Sequence, residues 1–247
     1  MYIIFDLDET VLNYNRDVDD FTLCTLRYYQ RKGHKLVINT ARSLRNTKDL
    51  IKKIKPDYSI LYGGSMIVDK DNQIIFSSPI KKDILNSVIK DIINKVKAIT
   101  VETKDEIFSS EQSNFAPYFD FRNNMFNDDA YKLLFAVVDD DLIVNMANKY
   151  NLNYVTYSNL IWHRFVPKNV SKYLGIVNLL KITNGSLDEC IAFGDDYGDI
   201  EMINKCKYGV VMSNAYESVK KEVKGLECGS NNDYGVARFL IKFFKEK

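Results

Sequence analysis

The sequence has few of the residues that crosslink small folds or hold zinc. Its 247 residues include two histidines and only four cysteines, Cys24, Cys190, Cys206 and Cys228. No two cysteines form a Cys-x-x-Cys pair, and no histidine lies near enough in sequence to complete a zinc pattern. Isolated cysteines in apolar or turn contexts are typical of reduced thiols in a cytoplasmic protein. We therefore expect a cytoplasmic location, without a disulfide framework or a structural zinc site.

An excess of charge of either sign is also lacking. Lysine and arginine together number 34 against 33 aspartates and glutamates, which gives a formal net charge of +1. Because the lysines are scattered rather than grouped into a basic stripe, no global field draws in nucleic acid. No apolar run is long enough for a membrane span, and no secretory signal pattern is visible. We expect a soluble globular protein with neither a nucleic acid nor a membrane as its partner.

The sequence does contain an alternation of strand and helix patterns. Short apolar runs typical of buried strands cover residues 2–5, 35–39 and 58–61. Amphipathic helical patterns over about 20–31 and 44–55 separate these runs. This alternation predicts parallel βαβ units, in which the crossover helices cover the faces of one sheet.

A different pattern interrupts the alternation at residues 81–165. It opens with a helical pattern over 82–97 and closes with two strand patterns that meet near residues 157–160. The βαβ alternation resumes afterwards. We therefore predict an α/β protein with a Rossmann-like parallel sheet core formed by residues 1–80 and 166–247, and an inserted α+β domain between them.

Two carboxylates, Asp6 and Asp8, directly follow the first predicted strand. Since side chains alternate along a strand, both would project to one side at its carboxyl end, where ligands bind in open α/β sheets. Neighbouring like charges are costly to bury unless a cation joins them, and Mg²⁺ prefers oxygen ligands. A solvated acidic turn is the alternative for this stretch taken alone.

Further polar groups follow other predicted strands. Thr40 follows the second strand, Asp195 and Asp199 follow the apolar run 190–193, and Lys172 begins a helix after the interruption. Taken singly, a threonine here is a common helix N-cap and a lysine is a common solvated residue. Their convergence with the first pair of carboxylates favours a catalytic site at one edge of the sheet.

Four motifs resemble, in order, those of haloacid dehalogenase (HAD) superfamily phosphatases. They are Asp-Leu-Asp-Glu-Thr at 6–10, Asn-Thr-Ala-Arg at 39–42, Val-Ser-Lys at 170–172 and Gly-Asp-Asp-Tyr-Gly-Asp-Ile-Glu-Met at 194–202. Segments such as Tyr62-Gly63-Gly64 and Met212-Ser213-Asn214-Ala215 are similar to the Cof-type branch, whose members carry a large α/β cap between the second and third motifs. The resemblance implies a HAD fold in which the inserted domain is this cap.

The resemblance also implies an activity, that of a phosphomonoester hydrolase working through an aspartyl-phosphate. Asp6 would be the nucleophile, and Asp8 would protonate the leaving oxygen and then deprotonate water. Thr40 and the amide of Ala41 would hold phosphate oxygens, and Lys172 would offset negative charge.

A magnesium ion is the cofactor that the resemblance implies. Its ligands would be Asp6, the backbone carbonyl of Asp8, and Asp195, with Asp199 binding directly or through water. Lys168 is a rival to Lys172 for the lysine role, but Lys172 follows Val-Ser as the family pattern does.

Several further residues are candidates for substrate contact. In the core these are Arg42, which could instead support its loop, together with Asp196 and Gly198 of the fourth motif. In the cap they are Tyr118 and Arg122, which could equally pack the cap's own core.

Two departures from the Cof-type pattern stand out. Gly198 occupies a position that is usually asparagine, and Glu9 replaces the usual glycine after Asp-x-Asp. The sequence around Glu9 is also reminiscent of a protein-phosphatase branch of the superfamily, which lacks a large cap of this kind.

The expected substrate is a small phosphorylated metabolite such as a sugar, nucleotide or cofactor phosphate. A phosphomutase and a non-catalytic phosphometabolite- or protein-binding domain remain the alternatives.

Overall fold

The computed structural model describes residues 1–112, 116–156 and 161–245, and the chain forms two compact units. The first unit comprises Met1–Phe76 and Ser171–Lys247, and the second is the continuous stretch Ser77–Val170. Each unit has its own sheet and its own apolar core.

The strands and helices of the described residues are numbered here in chain order. The strands are β1 (Tyr2–Phe5), β2 (Lys35–Asn39), β3 (Tyr58–Leu61), β4 (Met66–Asp69), β5 (Ile74–Ser77), β6 (Ala98–Glu102), β7 (Ile107–Ser109), β8 (Lys132–Ala136), β9 (Leu152–Thr156), β10 (Trp162–Pro167), β11 (Cys190–Gly194), β12 (Tyr208–Met212) and β13 (Leu226–Cys228). The α-helices are α1 (Asp20–Arg31), α2 (Leu44–Ile54), α3 (Lys82–Ile92), α4 (Asp140–Tyr150), α5 (Lys172–Thr183), α6 (Ile200–Lys205), α7 (Glu217–Glu222) and α8 (Gly235–Lys245).

The first unit is built on an eight-stranded sheet in the order β13-β12-β11-β1-β2-β3-β4-β5. Strands β13 to β3 pair in parallel, and β4 pairs antiparallel with β3. The predicted α/β class with a parallel sheet core is therefore confirmed.

The central strand β1 is apolar throughout because helices cover both faces of the sheet. Ile3 and Phe5 belong to a core cluster that includes residues of α1, α2 and α8. Tyr2 and Ile4 point to the other face and join a cluster with residues of α5, α6 and α7. A strand buried on both faces reads as a continuous apolar run rather than an alternation.

Side-chain caps mark the start of two helices of the first unit, α1 and α5. Asp19 accepts a hydrogen bond from the Thr22 N–H at 2.8 Å and starts α1. Ser171 accepts one from the Leu174 N–H at 3.1 Å and starts α5. These bonds satisfy backbone donors that have no partner within the helix. Because Ser171 is the cap, Lys172 is the first residue of α5.

The second unit has a five-stranded antiparallel sheet in the order β7-β6-β8-β10-β9. Its core joins apolar residues of α3 and α4, such as Val88 and Ile143, to Phe135 and Phe165 of the sheet. The two helices therefore cover one face of this sheet. Within the described ranges, every helix is too short or too polar to cross a membrane.

The sequence-based prediction and the structure can be compared at three further elements. Helix α3 ends at Ile92 rather than at residue 97, because the Lys97 N–H already donates to Ala136 in the neighbouring strand. Strand β13 was not predicted, since it has three residues of which two are exposed. The predicted closing strands of the insertion meet at residues 157–160, which lie outside the described residues.

Candidate active site

The loops that follow β11, β1 and β2 begin side by side at the carboxyl edge of the sheet. Phe5, the last residue of β1, is in register with Phe193 on one side and Ile38 on the other. The Asp6 N–H donates to the Phe193 carbonyl at 3.1 Å, which extends the ladder by one bond. Parallel pairing thus brings three sequence motifs to one edge, as expected for ligand sites in open α/β sheets.

Three aspartates form a buried cluster at this edge. Asp6, Asp195 and Asp199 each offer a carboxylate oxygen, and these atoms all lie within 4.8 Å of one another. Asp199 is fully buried, and the other two are less than a tenth exposed. The cluster unites three of the four predicted magnesium-binding aspartates.

Lys172 provides the positive charge in the cluster. Its Nζ lies 3.0 Å from Asp6 Oδ1 and 2.7 Å from Asp199 Oδ1. Burial opposes the charged form of Lys172, but Asp199 and Asp6 outweigh it and hold the pKa of the ammonium above its usual range. Lys168, the rival candidate, is an exposed residue of the second unit.

One ammonium group leaves the three carboxylates undercompensated. Burial, followed by the charge of Asp199, raises the pKa of Asp6 to about 7, although Lys172 opposes this shift. Burial, together with Asp6 and Asp199, raises the pKa of Asp195 to about 8. These shifts report the cost of placing like charges together away from water.

A hard divalent cation fits this donor set. All three carboxylates supply the oxygen ligands that Mg²⁺ prefers, and a cation would offset the repulsion that contributes to the raised pKa values of Asp6 and Asp195. Thr10 donates its hydroxyl hydrogen to Asp195 Oδ1 at 2.5 Å and so orients that carboxylate. The residues present are therefore compatible with a magnesium site.

Backbone geometry brings Asp199 to the same place. It is the last residue of a one-turn 3₁₀ helix, Tyr197–Asp199, and its Oδ2 accepts the N–H groups of Asp195 and Asp196, each at 3.2 Å. A Cβ on Gly194 would overlap the Asp199 carboxylate, so only glycine fits at the end of β11.

Asp8 differs from expectation. Its carboxylate is about half exposed and lies in a bidentate pair with Arg42, from Nε to Oδ2 at 2.8 Å and from Nη2 to Oδ1 at 2.5 Å. Strand alternation does not apply to Asp8, because β1 ends at Phe5 and the chain turns out of the sheet. The hydrogen bond to Asp8 raises the pKa of Arg42.

The turn after Asp8 is held by two asparagines from distant loops. Glu9 has a left-handed backbone with φ of 53°, which accounts for the usual glycine here. Asn214 Nδ2 donates to the Glu9 carbonyl at 2.8 Å. Asn231 Nδ2 contacts Glu9 Oε2 at 3.3 Å and the Leu12 carbonyl at 2.8 Å.

Thr40 is buried in the loop after β2. Its N–H donates to Ile60 at 2.9 Å and its carbonyl accepts from Gly63 at 2.8 Å. Its Oγ1 accepts the Arg42 N–H at 3.2 Å, and a hydroxyl in that role can still donate its own hydrogen. Ala41, which follows, is partly buried.

The remaining candidates have other surroundings. Asp196 caps the 3₁₀ turn by accepting the Tyr197 N–H at 2.8 Å, and it is not a member of the acidic cluster. Gly198 is exposed, and a Cβ added there would meet no atom within 4 Å. Tyr118 and Arg122 are exposed side chains of the second unit, where Arg122 Nη2 lies 3.5 Å from Asn94 Oδ1.

Two supporting residues were not predicted. Thr10 lies within the first motif, where only the acids carried a predicted role. Asn39 is buried between the sheet and α5, and its Nδ2 donates to the Lys172 carbonyl at 3.0 Å. A polar residue at the end of an apolar run was the available signal for Asn39.

The chain belongs to a recognised family of hydrolases. A family profile described as haloacid dehalogenase-like hydrolase matches residues 3–240. This match and the names of related proteins confirm three predictions. The chain is a member of the HAD superfamily, it belongs to the Cof-type branch, and it is an enzyme of the phosphatase class.

Individual relatives are similar along nearly their whole length. A putative phosphatase of Haemophilus influenzae is 26% identical over 257 residues, covering 96% of this chain and 94% of that protein. A Bacillus subtilis protein named 5-amino-6-(5-phospho-D-ribitylamino)uracil phosphatase is 23% identical, covering 98% and 97%. A haloacid dehalogenase-like hydrolase from Bacteroides thetaiotaomicron has the same fold, with a TM-score of 0.82, 22% identity, and coverage of 98% and 99%.

Proposed function

We propose that this protein is a magnesium-dependent phosphatase that hydrolyses small phosphorylated metabolites through an aspartyl-phosphate on Asp6. The observation that carries the proposal is the buried cluster of Asp6, Asp195 and Asp199 with the Lys172 ammonium 3.0 and 2.7 Å from two of its carboxylates. Such a constellation suits a phosphate dianion, whose charge needs both a cation and a fixed ammonium group.

In the first half-reaction, Asp6 forms a bond from its carboxylate oxygen to phosphorus while the bond to the leaving oxygen breaks. Asp8 gives its proton to that leaving oxygen, so the product departs as an alcohol. In the second half-reaction, Asp8 takes a proton from water, which attacks phosphorus and frees Asp6. Covalent catalysis divides one difficult displacement into two easier ones.

The separation of the two carboxylates supports these different roles. Asp6 is buried beside Lys172, whereas the Asp8 carboxylate is half exposed and held by Arg42. A proton-transferring group needs access to water and a carboxylate not committed to a metal, and Asp8 meets both conditions.

Asp6, Asp195 and Asp199 are the side chains that would hold Mg²⁺. When bound, the ion supplies charge neutralisation and polarises the phosphoryl group. Lys172 offsets the charge shared by Asp6 and the phosphate, and Thr40, with the amide of Ala41, donates hydrogen bonds to phosphate oxygens.

The proposed substrate class is the small phosphomonoester. A relative named for a phosphorylated ribitylamino-pyrimidine supports such a class at 23% identity. The test panel should therefore combine sugar phosphates, nucleotides and cofactor phosphates with that pyrimidine.

Hydrolysis of p-nitrophenyl phosphate tests the proposal. We expect turnover with MgCl₂, its loss in EDTA, and a fall of at least ~10³-fold in Asp6→Asn, which keeps the shape but removes the nucleophile. Asp188→Asn is the matched control, because its side chain is 81% exposed. Equal turnover in Asp6→Asn would contradict the nucleophile assignment. Transfer of phosphate to an added sugar hydroxyl would indicate a phosphomutase, and ligand binding without turnover would indicate a non-catalytic domain.

A further inference from the structure

Arg164 is a buried arginine with unused hydrogen-bond donors. It lies in β10, only 5% exposed. Its Nε and Nη1 are both buried, and neither has a hydrogen-bond partner in the part of the chain that the structure describes. A guanidinium retains its charge in proteins and can only donate hydrogen bonds. These two nitrogens therefore lack acceptor oxygens.

Strand alternation shows which face of the sheet carries Arg164. Its neighbours His163 and Phe165 both pack on Phe135, with ring centroids 5.8 and 4.7 Å apart, on the face covered by α3 and α4. Arg164 consequently projects from the opposite face. The residues in register with it are Leu134 and Val155, whose apolar side chains offer no acceptor.

The carboxylate on this face is already paired. Glu102 lies on the same face as Arg164, because Val101 before it points into the core. Its Oε1 lies 3.1 Å from Lys132 Nζ, and both side chains are largely buried. Lys132 and Glu102 neutralise each other, which leaves the charge of Arg164 without a counter-ion among the described side chains of this face.

A buried, unpaired charge destabilises a fold, and such violations of polar pairing are expected at functional or strained sites. We propose that Arg164 is an anion-binding residue that donates its free N–H groups to carboxylate or phosphate oxygens of a ligand. Arginine suits this role because its planar donor set matches both groups.

Two sources could supply this anion. One is a second acidic group on the phosphorylated substrate, an assignment that rests on the proposed function. The other is a separate anionic effector, which does not rest on it.

The first experiment compares Arg164→Met with Lys149→Met in ligand-free protein. Lys149 is a matched control, an exposed cation of the same unit that is paired with Asp91. We expect Arg164→Met to melt at or above the wild-type temperature, because it removes an uncompensated charge and retains an apolar stem. A melting temperature several degrees below wild type would show that Arg164 has a structural partner, and would overturn the proposal.

The second experiment compares 3-phosphoglycerate with glycerol 3-phosphate, which differ by one carboxylate. We expect wild type and Lys149→Met to prefer 3-phosphoglycerate, and Arg164→Met to lose about tenfold or more of that preference in kcat/KM through KM. Turnover of p-nitrophenyl phosphate should stay within about twofold in all three proteins, because this ester has no second acidic group.

A third experiment tests binding of a free anionic effector. Its outcome does not depend on whether the protein is a phosphatase. Tricarballylate is added to the p-nitrophenyl phosphate assay, and sodium sulfate is added to thermal melts against sodium chloride of equal ionic strength. An effect present in wild type and Lys149→Met but lost in Arg164→Met supports anion binding, even in a protein that hydrolyses no ester. Unchanged substrate preference together with unchanged responses to both anions would overturn it.

Discussion

Arg42 holds Asp8 by two hydrogen bonds, from Nε to Oδ2 at 2.8 Å and from Nη2 to Oδ1 at 2.5 Å. The pair joins the loops that follow β1 and β2, and it keeps the Asp8 carboxylate outside the cluster of Asp6, Asp195 and Asp199. The predicted substrate-contact residue Arg42 is thus placed to position the proposed acid and base. A bidentate guanidinium pair restricts the carboxylate in both distance and orientation.

Removal of Arg42 should affect catalysis only through Asp8. We expect Arg42→Met to lower kcat roughly 10- to 100-fold, because a misplaced catalytic group loses orientation, and Asp8→Asn to lower it by roughly 10² to 10⁴. The double variant should be no worse than Asp8→Asn. Arg45→Met is the control, since Arg45 is an exposed residue of α2. Losses that multiply in the double variant would contradict this coupling.

Asn231 should stabilise the fold through the turn at Glu9. Its Nδ2 donates to the buried Leu12 carbonyl at 2.8 Å and contacts the Glu9 carboxylate at 3.3 Å. We expect Asn231→Ala to reduce the free energy of unfolding by roughly 1–3 kcal/mol, because a buried acceptor loses its donor. The neighbouring Asn232→Ala, which removes an exposed bond to Tyr14, should cost under about 1 kcal/mol in the same urea titrations. Equal losses would argue against a specific role of Asn231.

Gly198 should accept the asparagine that the Cof-type pattern usually has. A Cβ there meets no atom within 4 Å, and the residue is not among those with positive φ. We expect Gly198→Asn to leave stability unchanged or raise it by up to about 1 kcal/mol. Gly194→Ala should instead destabilise by roughly 1–3 kcal/mol, because the added methyl overlaps Asp199. Thermal melts compare the two, and a destabilised Gly198→Asn would contradict the open surroundings of this position.

The metal-free protein should become less stable as the pH rises through neutrality. Burial raises the pKa of Asp6 to about 7 and of Asp195 to about 8, from an ordinary value of 3.8. The folded state therefore binds protons that the unfolded state has released, and this stabilisation is complete near pH 4 and lost through pH 7 to 8.

Urea unfolding in EDTA between pH 5.5 and 8.5 measures this effect. We expect the slope of unfolding free energy against pH to become shallower in Asp195→Asn and to remain in the exposed control Asp188→Asn. A free energy of unfolding that rises with pH over this range in wild type would contradict the raised pKa values. Saturating Mg²⁺ should reverse the slope, because the ion binds the carboxylate forms.

The central strands could be predicted because their sequences are apolar on both faces. Strands β1, β2 and β3 have the predicted bounds, and the capping of α1 by Asp19 follows from residue type. Strand β13 could not be recognised, because at Leu226 and Glu227 it exposes side chains and gains its stability from pairing with β12. Edge pairing of this kind leaves little trace in a short sequence.

Part of the candidate site could be predicted, because its acids follow strands that the sequence identifies. The acids of the first and fourth motifs meet because parallel pairing aligns the ends of β1 and β11. Strand alternation could not be used to place the Asp8 side chain, because β1 ends at Phe5 and Asp8 lies in the turn that follows. The bonds of Asn214 and Asn231 to Glu9 span more than 200 residues of chain, so no local pattern could reveal them.

Trapping of the covalent intermediate tests the central assignment most directly. Protein mixed with Mg²⁺ and p-nitrophenyl phosphate is quenched and reduced with borohydride, which converts an aspartyl-phosphate side chain to that of homoserine. Peptide mass spectrometry then locates the reduced residue. We predict conversion at Asp6, dependent on both substrate and Mg²⁺ and absent from Asp6→Asn. Turnover without conversion at Asp6, or conversion at another aspartate, would contradict the account.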